Sequence, residues 1–243
     1  MHIFIVCYNE AIMIPHTVHH YRSRFPNSKI TIYDNYSTDA SVTIAKSLGC
    51  EVCPWNTENQ INDHLLIDLK NTAWKSVDDW IIICDMDEWL CVSEADLKSE
   101  EERGTTILKV KGYNMIGNSQ TETLEDVDLQ KISMGIFNPY ECKNICFDAR
   151  KIKDINFRLG AHHCSPVAND DAKVQYSEKE YILKHMDELG FPYKCYKNKI
   201  RYERSERMRK QFGMCQHYVA DNSILKATLD KLQEECNDIS NLI

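Results

Sequence analysis

Four short apolar runs, separated by stretches of helical periodicity, constrain this chain more than any other feature. The runs cover residues 3–7, 29–34, 51–55 and 79–85, and the polar turns Tyr8-Asn9-Glu10, Asp34-Asn35 and Asp85-Met86-Asp87-Glu88 close three of them. Between the first two, a helix is expected from near Pro15 to about Arg24, because proline is tolerated in a first turn. A second helix passes through Ile44 and Leu48 and stops at Gly49, a good C-terminal signal. Ile61, Leu65, Leu69, Ala73 and Val77 recur every four residues and mark a third, amphipathic helix. Strands and helices alternating in this rhythm imply an α/β fold, with a mostly parallel sheet covered on both faces. Ligands of such sheets sit in the crevice beyond the carboxyl ends of the strands, where all three polar turns fall.

The fourth run ends in two carboxylates spaced by one residue. Side chains alternate along a strand, so Asp85 and Asp87 are expected on one side and Met86 on the other. Carboxylates held that close repel unless something positive lies between or beside them. A divalent cation chelating a diphosphate is the usual remedy, since hard oxygen ligands suit Mg2+ or Mn2+. An acidic turn after a buried strand is the plain alternative.

Composition narrows the classes. At 243 residues, 43% hydrophobic and 27% charged, the chain suits one soluble domain with a core that needs no disulfide staples. A net charge of -8 argues against nucleic acid as a partner. No run of eighteen apolar residues exists, so no membrane span is expected. The start, Met1-His2-Ile3-Phe4-Ile5-Val6-Cys7, has no basic flank or cleavage site and reads as a strand, not a signal peptide. Eleven cysteines without an export signal point to reduced thiols and a cytoplasmic setting. Cys50/Cys53 and Cys142/Cys146 have spacings that a zinc site could use, but they lie in strand-like stretches, and buried inert thiols are the expectation.

The second half changes character. Residues 105–110 read as a strand and 112–117 as a turn; residues 122–128 are acidic and read as a mobile loop, followed by short polar and aromatic strands. Leu225, Leu229, Leu232 and Cys236 form one stripe of a C-terminal helix. No linker rich in Gly, Pro or Ser divides the chain.

In order along the sequence, Val6-Cys-Tyr-Asn-Glu10, Asp34-Asn-Tyr-Ser-Thr-Asp39 and Ile83-Cys-Asp-Met-Asp-Glu-Trp89 resemble family-2-like glycosyltransferases with the GT-A fold. Gly112-Tyr-Asn-Met115, Gly160-Ala-His162, Leu183-Lys-His185, Tyr202-Glu-Arg-Ser205 and Gly213-Met-Cys-Gln-His-Tyr218 extend the resemblance over nearly the whole chain. It implies one GT-A-like catalytic domain with helices on both faces of a mixed sheet. Residues 1–111 would be the nucleotide-sugar-binding half, 112–220 the acceptor half, and 221–243 the C-terminal helix. It also implies sugar transfer from a nucleotide donor, a UDP-sugar favoured, to a hydroxyl of a saccharide or glycoconjugate, with Mn2+ (or Mg2+) as cofactor. Asp87 and His185 are the implied metal ligands, with Asp85 at the ribose or a metal-bound water. There are departures: Met186 follows His185 where an aromatic is commoner, His163 doubles His162, and Lys143 matches only loosely.

For the nucleoside, Asp34 at the sheet edge is placed to contact base or ribose, Tyr8 to stack on the base, and Glu10 to accept from the ribose. Asp39 reads better as a helix cap, and Asp63 as cap or contact alike. Of seven basic residues between Lys194 and Arg209, the resemblance singles out Arg204 beside Ser205. An inverting reaction needs a base for the acceptor proton, and His162 is preferred over His163, Asp148 and Glu141, since imidazole titrates near neutrality. The competing classes are a sugar- or nucleotide-sugar-binding module without transfer, and a nucleotidyltransferase, which lacks its usual glycine-rich basic loop here.

Overall fold

The first half of the computed structural model runs β1 (His2–Cys7), α1 (Ile14–Arg24), β2 (Lys29–Asp34), α2 (Ser41–Ser47), β3 (Glu51–Pro54), α3 (Asp63–Thr72) and β4 (Trp80–Asp85). Its strands pair in parallel, β1 lying between β2 and β4, with β3 outside β2. Alternation explains why both faces are covered. Ile3 and Ile5 of β1 and Ile82 and Cys84 of β4 join one core with Val18 and Tyr21 of α1 and Ala45 of α2. Phe4, Ile81 and Ile83 face the other way, onto Ile67 of α3 and Trp74 just beyond it. Each buried Ile, Val or Phe among them contributes about 1.5–3 kcal/mol.

A tight turn at Met86-Asp87 leads into β5 (Glu88–Cys91), then α4 (Glu94–Glu102) and β6 (Ile107–Ile116). The remaining strands and α-helices are β7 (Met134–Phe137), β8 (Cys146–Asp148), β9 (Ile152–Asp154), β10 (Val167–Ala168), β11 (Tyr176–Glu188), α5 (Phe191–Arg204), α6 (Glu206–Phe212), α7 (Asn222–Glu235) and β12 (Asn237–Asp238). The main sheet is mixed, in the order β12-β7-β6-β8-β4-β1-β2-β3, with β11 paired parallel to β6 and antiparallel to β5. In that last ladder His185 lies opposite Glu88. The expected mixed α/β sheet with helices on both faces is present.

The structure describes residues 1–216, 218 and 221–243. His217, in the series Gly213 to Tyr218 quoted above, lies outside the described residues.

Three local readings change. The expected turn at 112–117 is a continuation of β6, because Gly112 serves close approach and not chain reversal. A Cβ there would lie 2.3 Å from the Glu141 carbonyl, so glycine lets the Glu141 backbone pack onto the strand. The third helix is shorter than its periodicity; Asn62 caps its start and the chain turns after Thr72. The acidic stretch 122–128 is irregular but braced, since Asp126 accepts from Ser119 Oγ and from the Gln120 backbone.

Candidate active site

A cavity of about 220 Å³ opens at the carboxyl ends of β1 and β4, between them and α5. Tyr8, Glu10, Asp85, Asp87 and Arg204 line it, together with Asn35, Trp55 and Thr57 from the β2 and β3 edge. The turn carrying the aspartates is fixed from beneath. Thr17 Oγ1 donates to the Met86 carbonyl (2.7 Å) and accepts from Trp89 Nε1 (2.9 Å). Tyr21 Oη donates to the Glu88 carbonyl at 2.7 Å. The Asp87 carbonyl accepts from Met186 N at 2.7 Å, tying the turn to β11.

The two aspartates have different partners. Asp85 Oδ1 pairs with Lys70 Nζ at 2.8 Å, from the buried side of α3. Its backbone N–H donates to Glu88 Oε2 at 2.8 Å, while Glu88 Oε1 meets Lys143 Nζ at 2.6 Å and Lys143 meets Glu141 at 2.8 Å. Asp87 is buried; its Oδ2 accepts from Arg201 Nη2 at 2.9 Å, with Lys197 Nζ 3.7 Å away. Arg201 Nη1 donates to Asp187 Oδ1 at 2.6 Å, so one guanidinium bridges two buried carboxylates. Lys194 closes the set on Asp187 and Glu188.

His185 lies within β11, with Nε2 4.0 Å from Asp87 Oδ1. Its Nδ1 is 3.0 Å from Asn114 Oδ1, which also accepts from Asn138 Nδ2 at 3.3 Å. That leaves the Nδ1 proton on the Asn114 side and the Nε2 lone pair toward Asp87, the second-sphere arrangement typical of a metal-binding histidine. Asp87, His185 and Asp187 each offer a ligand atom within 4.8 Å of the others, and could hold a metal ion. Two carboxylates and an imidazole are a donor set that fits a divalent ion of the Mn2+ kind.

Burial pushes all three aspartates up, and in each the neighbouring cations outweigh it. Lys70 and then Lys143 hold Asp85 below the usual carboxylate range; Lys197 and Arg201 do so at Asp87, and Arg201 and Lys194 at Asp187. Depressed folded values mean that the stability from these pairs is fully present above the unfolded value of about 3.9 and is lost as the pH falls beneath it. Taken as the difference between the wild type and Asp85→Asn, which cancels the stability lost below about pH 6.5 by buried histidines such as His20, thermal melts near pH 7, about pH 5 and about pH 3 are expected to show little loss across the first interval and a steep one across the second. An even decline over the whole range would contradict the pairing.

Other expected site residues occupy different ground. Glu10 pairs with the buried Lys197 ammonium, because a carboxylate this enclosed needs a cation beside it. The Arg204 guanidinium lies 3.4 Å above the Tyr8 ring centroid and hydrogen-bonds Asn35 Oδ1, covering the ring face expected to take a base. Asp34 is buried and is not among the residues that line the cavity, and its Oδ2 accepts from Ser37 N at 3.1 Å. Asp34 Oδ1 and Arg204 Nε have no hydrogen-bond partner among the described residues. Asp39 lies one residue ahead of Ala40, the N-cap of α2, and accepts from Ser41 N at 2.9 Å. His162 is not part of the cavity wall; its Nδ1 lies 2.6 Å from the Tyr140 carbonyl, next to Glu141 in the chain. Since a carbonyl only accepts, the Nδ1 carries the proton and Nε2 is left with its lone pair.

Sequence reasoning misses Lys70 and Asp187. Asp187 follows His185 by two residues on a strand, so the alternation that pairs Asp85 with Asp87 also finds it. Lys70 carries no such signal, as a lysine on an amphipathic helix reads as solvated.

No helix among the described residues is long and apolar enough to cross a membrane. Among solved structures, S. aureus TarS is similar at 15% identity and a TM-score of 0.47, over 86% of this chain and 43% of that one. TarS 1-349 in complex with UDP-GlcNAc is similar at 13% identity and a TM-score of 0.44, over 86% and 72%. The mannosyltransferase PcManGT from Pyrobaculum calidifontis, in complex with GDP-Man and Mn2+, aligns at 15% identity and a TM-score of 0.35, over 45% and 34%. This chain therefore spans about a third of PcManGT and less than half of TarS. No curated protein matches it. Residues 2–91, which hold β1 to β4 and the turn that carries Asp85 and Asp87, match the model of glycosyl transferase family 2.

Proposed function

We propose that the chain transfers a sugar from a nucleoside-diphosphate donor, a UDP-sugar before others, to a hydroxyl of a saccharide or glycoconjugate. The supporting observation is the two-sided cavity. Its β4 wall carries Asp85 and Asp87, and its α5 wall carries Lys197, Arg201 and Arg204. A nucleotide sugar needs both: cations for the diphosphate and acceptors for the ribose and base. Arg204 Nε, on the cavity wall, is a buried donor with capacity left for such a contact.

In this reading Asp87 and His185, with Asp187, hold Mn2+ or Mg2+. When bound there, the ion supplies charge neutralisation as the leaving diphosphate becomes more negative. Lys197, Arg201 and Arg204 add preorganised positive charge at the same place. Asp85, fixed by Lys70, faces the ribose. His162 takes the acceptor proton at Nε2, its ring oriented by the Tyr140 carbonyl, and the reaction inverts. The eleven cysteines suit a reducing compartment, and the cytoplasm is the proposed setting.

Screening nucleotide sugars for Mn2+-dependent hydrolysis and transfer tests the class and names the donor together. Tight UDP binding without turnover on any donor and acceptor offered would favour the binding-module reading. His162→Ala is expected to cut turnover by about a hundredfold or more while leaving UDP affinity unchanged. A normal rate in that variant removes His162 as the base.

A further inference from the structure

The cation that sits on the candidate metal ligands in this structure is the protein's own. Arg201 donates 2.9 Å to Asp87 Oδ2 and 2.6 Å to Asp187 Oδ1, spanning the two carboxylates of the Asp87–His185–Asp187 set. A divalent ion drawing both carboxylates to itself must loosen that bridge. Arg201 also lines the cavity, one helical turn before Arg204, so a displaced guanidinium has somewhere to go.

Charge sets the order of events. Glu10, Asp87, Asp187 and Glu188 face Lys194, Lys197 and Arg201, and these seven side chains in their ionised forms sum to one negative charge. A divalent cation alone would turn that into one positive charge, in a place where Asp87, Asp187, Glu188 and Lys197 are all buried. A sugar-linked diphosphate alone, with two negative charges, would leave it three negative. Only the two together restore the starting balance. Unbalanced buried charge is what a protein interior tolerates least.

We infer that Arg201 is a resident counterion that couples the two ligands: it holds the carboxylate pair against a lone divalent cation, and moves onto the diphosphate when cation and nucleotide arrive together. This rests on the donor reading given above, and it assigns Arg201 a positioning role whose signature is mutual dependence of binding. A guanidinium suits the part, since its planar fork serves two carboxylates or two phosphate oxygens equally well.

The test is calorimetric titration of the full chain with MnCl2, with and without saturating UDP, for the wild type, Arg201→Met and Arg201→Lys. In the wild type, UDP is expected to tighten Mn2+ binding by about ten- to a hundredfold, within the usual range of coupling between sites. Arg201→Met should bind Mn2+ alone at least about fivefold more tightly than the wild type, and its coupling to UDP should shrink to within about threefold. Arg201→Lys keeps the charge but cannot bridge both carboxylates, so it is expected to fall between the two. Circular dichroism of each variant reports folding, and Arg201→Lys carries the test if Arg201→Met does not fold. Coupling that is unchanged in the folded variants, or Mn2+ affinity that drops in them, overturns the inference while leaving the donor reading standing. A wild type that binds Mn2+ but no UDP overturns both.

Discussion

Asp87→Ala is expected to reduce sugar transfer by at least about a hundredfold and to abolish the Mn2+ dependence of UDP binding. Asp87 supplies one of three candidate metal ligands and is the only one of them on the turn between β4 and β5. The substitution also removes a counterion from Arg201 and Lys197. Both keep another, Asp187 for Arg201 and Glu10 for Lys197, so the fold should survive with a loss of about 1–3 kcal/mol. Turnover and UDP titration with Mn2+ would be measured alongside a urea melt. Retained turnover in a folded variant would remove the metal assignment altogether.

Glu88→Ala is expected to destabilise the chain by about 3 kcal/mol, near the low end for breaking a buried ion pair. Glu88 is fully buried and serves two partners at once, Lys143 Nζ and the Asp85 backbone. Glu141 remains beside Lys143, which is why the loss stays at the low end. Because Glu88 holds the backbone of Asp85, activity should fall further than partial unfolding explains. Glu88→Gln retains the acceptor and the shape and should lose distinctly less. A urea midpoint for Glu88→Ala equal to that of the wild type would show that this pair supports nothing.

Much of the first half was legible because its physics is local. Apolar runs of strand length, Pro15 at a helix start and Gly49 at a helix end lead to β1, α1, β2 and α2 within a residue or two. The site was legible only where one element carries the signal, as at Asp85 and Asp87. Its basic side was harder, though a pattern is present: Lys194, Lys197, Arg201 and Arg204 are spaced three, four and three, one face of α5. Lys199, Arg207 and Arg209 fall off that face or beyond that helix, which periodicity alone separates from the others. Lys70 was not legible at all, since what buries it is Asp85 on another element. Gly112 misled for a related reason: a glycine in sequence announces freedom, and only the packed Glu141 backbone shows that the requirement is space.

The ladder in which His185 lies opposite Glu88 bears on when the protein becomes competent. It zips together strands from opposite halves of the chain, and contacts of such long range close late, after local hairpins and helices have formed. An early species with β1 to β4 assembled would own the acidic turn yet lack His185, Asp187 and every side chain of α5. Such a species would be blind to cation and nucleotide alike, so ligand capture would serve as a report that maturation of the whole chain is finished.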